Sequence, residues 1–75
     1  MRIRWTAAAR FDLVRLREFL APANLLRHNP RLGARAEAFA PREVRRLFVD
    51  DYELRYEIQS DVIIVVRLWH TREDR

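Results

Sequence analysis

Cysteine and lysine are absent from this chain, glycine occurs once and histidine twice. Without a thiol the protein forms neither a disulfide nor a thiolate metal site, and a reducing compartment such as the cytoplasm suits it. With Gly33 as the sole glycine there is no flexible loop to cradle a phosphate, so no nucleotide cofactor is expected. His28 and His70 have no carboxylate at metal-ligand spacing, and no metal is expected either. No apolar run approaches the roughly 20 residues of a membrane helix, and the N-terminus lacks the basic-then-apolar layout of a signal peptide. The expectation is a soluble, cytoplasmic protein with no membrane contact.

Every one of the fifteen cations is therefore arginine. A guanidinium is a planar fork matched to phosphate or carboxylate, but an alanine-rich, lysine-free compositional bias is the simpler account of the total. Distribution says more. Residues 1–49 hold eleven arginines against four acids and residues 50–75 hold four against seven, so the two parts carry +7 and −3, which make the overall +4. A basic front half suits nucleic acid or an acidic protein partner. The 75 residues make one domain, 1–75, with no room for a linker, a repeat array or a second core. A core of that size supplies about 3 to 5 kcal/mol unless disulfides, metal or a partner add to it. Oligomerisation or a bound partner is the expected addition.

Periodicity gives the elements. Tyr52, Leu54, Tyr56 and Ile58 alternate with Glu53, Arg55, Glu57 and Gln59, which predicts a half-buried antiparallel strand with one apolar and one polar face. Asp50-Asp51 and Ser60-Asp61 are polar breaks suited to hairpins, although neither holds the glycine that a primed turn favours. Val62 to Trp69 is apolar except for Arg67 and rich in β-branched residues, which predicts an interior strand covered on both faces. Glu43 to Val49 is a third strand, with Arg45 and Arg46 giving each face one guanidinium. At the front, Arg2 to Trp5 is a short strand, Thr6 an N-cap, and Ala7 to Leu20 a helix without internal glycine or proline. Ala9, Leu13, Leu16 and Leu20 fall in one arc, the expected core face, with Arg10, Arg15, Arg17 and Glu18 outside it. Phe11 and Val14 also lie outside it, one turn apart. They are either a second contact surface or ordinary exposed apolar residues. Pro22, Asn29-Pro30 and Gly33 punctuate the middle, leaving Ala23 to His28 at most two turns of helix and Arg31 to Ala40 a loop or poor short helix.

The series of a strand, a Thr6-capped helix with Asp12-Leu13 and Leu16, then Val44-Arg45-Arg46-Leu47, Asp51-Tyr52-Glu53-Leu54-Arg55-Tyr56 and Arg67-Leu68-Trp69-His70-Thr71-Arg72 resembles the ParE branch of the RelE/ParE toxin superfamily. The resemblance covers residues 1–20 and about 37–75. It implies an α+β, RelE/ParE-like fold with an N-terminal strand and helix, a short second helix and a three-stranded antiparallel meander. It also implies a type II toxin neutralised by a cognate antitoxin, with DNA gyrase as the bound target of ParE-type members and ribosome-bound messenger RNA as the substrate of RelE-type members. One departure stands out. Family members carry two long helices after the first strand, whereas Leu25 to Gly33 resembles only the tail of the second. The sheet face those helices would cover is expected to need a second copy, with helices exchanged, or the antitoxin. An inactive shortened relative that only self-associates or binds antitoxin is the third reading.

Metal-free RNA cleavage needs a general base for the 2′-hydroxyl, cations for the phosphorane and a general acid. His70 with Arg55 and Arg67 are the candidates, and Arg72 could add a phosphate contact. Where ribonuclease relatives have a further arginine two residues before the position of Arg55, this chain has Glu53 or Asp51. Where some have an aromatic residue after the histidine, it has Thr71. Both departures favour a binding toxin over an enzyme, with His70 a local packing and hydrogen-bonding residue. The expected partner surface is Arg67, Trp69, His70 and Arg72, with Phe11 and Val14. Arg67, alone in an apolar strand, is expected to pair with Glu53, Glu57 or the Asp61 region, or to face a partner.

Overall fold

Strand alternation and one proline decide most of the architecture. The computed structural model describes residues 1–72, so Glu73 and Asp74 of the closing block lie outside the described residues. In order come β1 (Arg2–Trp5), α1 (Ala7–Arg15), α2 (Leu20–Asn24), β2 (Ala34–Arg35), β3 (Glu43–Val49), β4 (Tyr52–Gln59) and β5 (Val62–His70). Turns of 3₁₀ helix occupy Arg17–Phe19, Leu25–Arg27 and Glu37–Phe39. The strands make one sheet in the order β1-β5-β4-β3-β2. The expected meander of β3, β4 and β5 is antiparallel throughout. Its two hairpins turn through Asp50 at φ 52° and Ser60 at φ 54°, left-handed positions filled here by short polar side chains in place of glycine. β1 is both an edge strand and the neighbour of the last strand, lying parallel to β5 with Arg2 opposite Val62 and Trp5 opposite Val65. β5 is thereby interior, as its apolar run predicts.

One sheet face carries Leu47, Leu54, Tyr56, Ile58, Ile63, Val65 and Leu68, which pack with Ala9, Ala23 and Leu26 into the core. Ile3, Trp5, Leu13 and Leu16 pack against its margin. Eight residues of the sheet and helices in this cluster, among them Leu54, Tyr56 and Leu26, have no solvent exposure at all, so the helical face of the sheet is covered within one chain. The core on this face is thus closed without the second copy or antitoxin that the shortened helices were expected to need. Short elements suffice because the segment after Arg27 crosses the same face: the Tyr56 hydroxyl donates to the Pro30 carbonyl at 2.8 Å and accepts the Gly33 N–H at 2.9 Å. A Cβ on Gly33 would stand 2.8 Å from the Arg46 carbonyl oxygen, which is why this position has none.

The predicted helix from Ala7 to Leu20 is broken. Thr6 caps it as expected, its hydroxyl accepting the Ala9 N–H at 3.0 Å, but α1 stops at Arg15 and Leu16 leaves helical geometry at φ −122°, ψ 54°. Pro22 gives the reason. It has no N–H for the Glu18 carbonyl and its ring would clash there, so a helix holding Pro22 must begin anew, and it sits in the first turn of α2. The break also redraws the core face: Leu20 is 46% exposed, while Asp12 is 1% exposed beside Ala9. Arg31 to Ala40, expected as a loop or poor helix, holds β2 and a single 3₁₀ turn. The polar face of β4 is also more buried than alternation implies, with Glu53 1% and Glu57 6% exposed. Arginines cover them. Among the described residues no helix is long and apolar enough to cross a membrane.

Candidate functional site

β1 ends at Trp5, opposite Val65, so on the side away from β4 the upper part of β5 has no strand beside it. α1 takes that place. The Thr6 hydroxyl donates to the Val66 carbonyl at 2.8 Å, and the Asp12 carboxylate accepts the Leu68 N–H at 3.0 Å, as a neighbouring strand's carbonyl would. Asp12 also receives Nε and Nη2 of Arg67 at 2.8 and 3.2 Å, and Nη2 of Arg15 at 3.4 Å. Arg67 is thus held by Asp12, 55 residues earlier, a carboxylate that was not among the expected Glu53, Glu57 and Asp61 region. Burial pushes the Asp12 carboxyl up, but the bonds from Arg67 and the Leu68 N–H outweigh it and hold the group below the ordinary value of 3.8.

The opposite face of the sheet gathers the second cation. The Arg55 guanidinium lies 5.0 Å from the Trp69 ring and 5.8 Å from the Phe39 ring, with Nη2 3.5 Å from Glu53. Glu53 is gripped more closely by Arg46, at 2.8 and 3.3 Å, and Arg46 itself sits 5.0 Å over Phe48. Glu57 binds Arg42 at 3.1 and 2.7 Å.

His70 is elsewhere. It stands opposite Tyr52 across the β4–β5 ladder, with ring centroids 5.1 Å apart edge to face, while Trp69 stands opposite Glu53 and Arg67 opposite Arg55. Alternation therefore puts His70 and Tyr52 on the helical face of the sheet and Arg55 and Trp69 on the other. At the end of the strand His70 Nδ1 accepts the Arg72 backbone N–H at 3.1 Å. The Tyr52 hydroxyl donates to Glu18 at 2.6 Å; that bond raises the tyrosine pKa and lowers the glutamate's. Arg72 is 80% exposed in its side chain, 3.6 Å from Asp51. Sequence reasoning missed Asp12, although a carboxylate flanked by Ala9 and Leu13 on the wheel was the available signal. It also missed the Glu18–Tyr52 bond, which no local pattern announces.

Phe11 and Val14 are 70% and 74% exposed. Beside them runs a shallow apolar groove lined by Leu13, Val14 and Leu20 with Arg10 and Arg17 at its rim. Nine arginines of the described residues reach a carboxylate. Arg2, Arg4, Arg10, Arg17 and Arg27 do not, and all lie in the first 27 residues. The charge polarity of the sequence is therefore sharper in the fold, because the basic residues after Arg27 are largely neutralised in place. Among the described residues no group of three His, Cys, Asp or Glu side chains is gathered to hold a metal ion.

A mixed five-stranded sheet with short helices on one face, and an antiparallel meander at its centre, is the RelE/ParE-like α+β fold. Residues 3–75 match the family described as ParE toxin of type II toxin-antitoxin system, parDE, and the chain belongs to that family. No curated protein matches the chain.

Proposed function

We propose that this toxin acts by binding, with DNA gyrase as its target in the cytoplasm, and that its cognate antitoxin silences it by laying a helix in the α1 groove. One observation carries the choice of binding over RNA cleavage: the sheet stands between His70 and the Arg55 cation, and Arg67 is committed to Asp12. A cleavage site needs its acid, base and cations around one phosphate. The antitoxin reading rests on the apolar groove and on Arg10 and Arg17, which ask for an amphipathic helix with acidic flanks. A second copy is the other candidate for this face, as a homodimer with or without exchanged helices. Arginines on both rims of such a contact would repel, which favours the acidic partner.

The test is induction of the chain alone in bacteria carrying a DNA-damage reporter and a translation reporter, with a His70→Ala variant beside it. Growth arrest with the damage response on, preserved in His70→Ala, and loss of supercoiling by purified gyrase are the expected results. Arrest in which translation fails first and which His70→Ala abolishes would instead establish messenger RNA cleavage through His70, with Tyr52 and Glu18 beside it. No arrest by soluble, folded protein would identify an inactive relative that keeps only its binding surface.

A further inference from the structure

The outer edge of β1 is open. The Thr6 N–H bonds the Val65 carbonyl at 3.1 Å, and in the parallel register this turns the backbone groups of Arg2, Arg4 and Thr6 toward β5. Those of Ile3 and Trp5 consequently point away from the sheet, and no backbone group of another described element bonds them. The side chains divide the same way. Ile3 and Trp5 pack toward the core, whereas Arg2 and Arg4 lie exposed on the opposite face, beside Val62 and Ile64. Neither Arg2 nor Arg4 has an acidic partner among the described residues.

An exposed edge is a template for another strand, and proteins commonly block it with charge. Two arginines two residues apart do that against a second copy of this chain, since pairing β1 with itself would bring guanidinium against guanidinium. They do the reverse for a segment of opposite sign. We propose that β1 receives an extended peptide segment from a protein partner as a sixth strand, with acidic residues opposite Arg2 and Arg4 and apolar residues opposite Ile3 and Trp5. Main-chain bonds to Ile3 and Trp5 supply the attachment and the two charge pairs set register and sign. The other edge of the sheet is unlike this one. There β2 already occupies β3 opposite Arg45 and Arg46, and the Ala36 N–H takes the Val44 carbonyl. The site is separate from the α1 groove, so its failure leaves the antitoxin helix reading standing, and the converse.

The experiment uses the full chain, isotope-labelled, with a short capped peptide of alternating glutamate and valine as probe and a lysine–valine peptide as control. At saturating glutamate peptide, amide exchange at Ile3 and Trp5 is expected to slow about tenfold or more, because these N–H groups gain partners. The Arg2→Glu/Arg4→Glu variant is expected to bind about tenfold more weakly, the sum of two cross-strand pairs reversed in sign. Ile3→Pro removes one outward N–H at a position where an edge strand tolerates proline, and should weaken binding without loss of fold. Should that variant unfold, the charge reversal still decides. Binding with unchanged exchange at Ile3 and Trp5, equal binding of the lysine peptide, or no binding of the glutamate peptide at millimolar concentration each overturn the proposal.

Discussion

Asp12 is the residue on which most of the polar chemistry converges. It is 1% exposed and takes bonds from Arg67, from the Leu68 N–H and from Arg15. Asp12→Asn keeps the shape and one acceptor but strips the charge from a site built for it. A fully buried pair broken this way costs about 3–5 kcal/mol, and because half of the Arg67 side chain is in water we expect about 2–3 kcal/mol, read from urea unfolding at neutral pH. Arg67→Lys, which keeps charge but loses the fork, should destabilise less than Asp12→Asn and leave growth arrest intact if Arg67 is structural. The Asp12 pKa is lowered in the folded state, so the unfolded chain takes the proton first as pH falls. The stabilisation is complete above about pH 5 and is lost as pH drops through the folded value below 3.8. Unfolding midpoints compared at pH 7 and pH 3 should fall less for Asp12→Asn than for the wild type. Glu57 and Glu43, whose pKa values are lowered by bonds from Arg42 and Arg45, add acid sensitivity of the same sign. At this scale the sequence was legible where a single position suffices, as at the Thr6 cap, and not where the partner lies far along the chain. Arg67 illustrates the limit. Its need for a carboxylate was readable from its apolar strand, but the one that grips it, Asp12, lies 55 residues away.

At the scale of elements, the stretch from His28 to Gly33 does what a longer second helix would do, and a tyrosine holds it in place. Tyr56→Phe leaves the Pro30 carbonyl and the Gly33 N–H short of a partner in a covered site. The expected loss is about 1–3 kcal/mol, with faster amide exchange at Gly33 as the local sign. Gly33→Ala meets backbone at 2.8 Å and should cost about 1–3 kcal/mol by overpacking. The strands were readable because alternation over Tyr52 to Gln59 is a local property. The cover was not, because alternation names the apolar face without naming what crosses it. The same gap explains Glu53 and Glu57: they stand on the polar face as expected, yet Arg46 and Arg42 reach across and exclude water from them. The parallel pairing of β1 with β5 is likewise a long-range fact, held by the ladder from Arg2 opposite Val62 to Trp5 opposite Val65 and extended by the Thr6 contacts to Val65 and Val66.

At the scale of the whole molecule, five guanidiniums in the first 27 residues have no carboxylate partner among the described residues and face outward from a body whose other described arginines are paired internally. Association with an acidic partner should therefore weaken steeply as salt rises through about 0.1 M, where the Debye length is about 10 Å, while the unfolding midpoint moves little. Phe11→Ser/Val14→Ser, at positions 70% and 74% exposed, should change stability by under about 0.5 kcal/mol and yet weaken antitoxin binding measured by titration. The sequence held this asymmetry in its charge count and missed only its sharpness, which depends on which arginines find carboxylates. A last consequence concerns length. Because Asp12 stands in for the strand that β1 is too short to provide, the number of residues from Trp5 to Asp12 is not free to vary. One residue added there would swing the carboxylate about 100° around the helix, away from the Leu68 N–H. Relatives should tolerate insertions and deletions between Asn24 and Glu43 far more readily than a single one inside α1, where spacing is itself a bond.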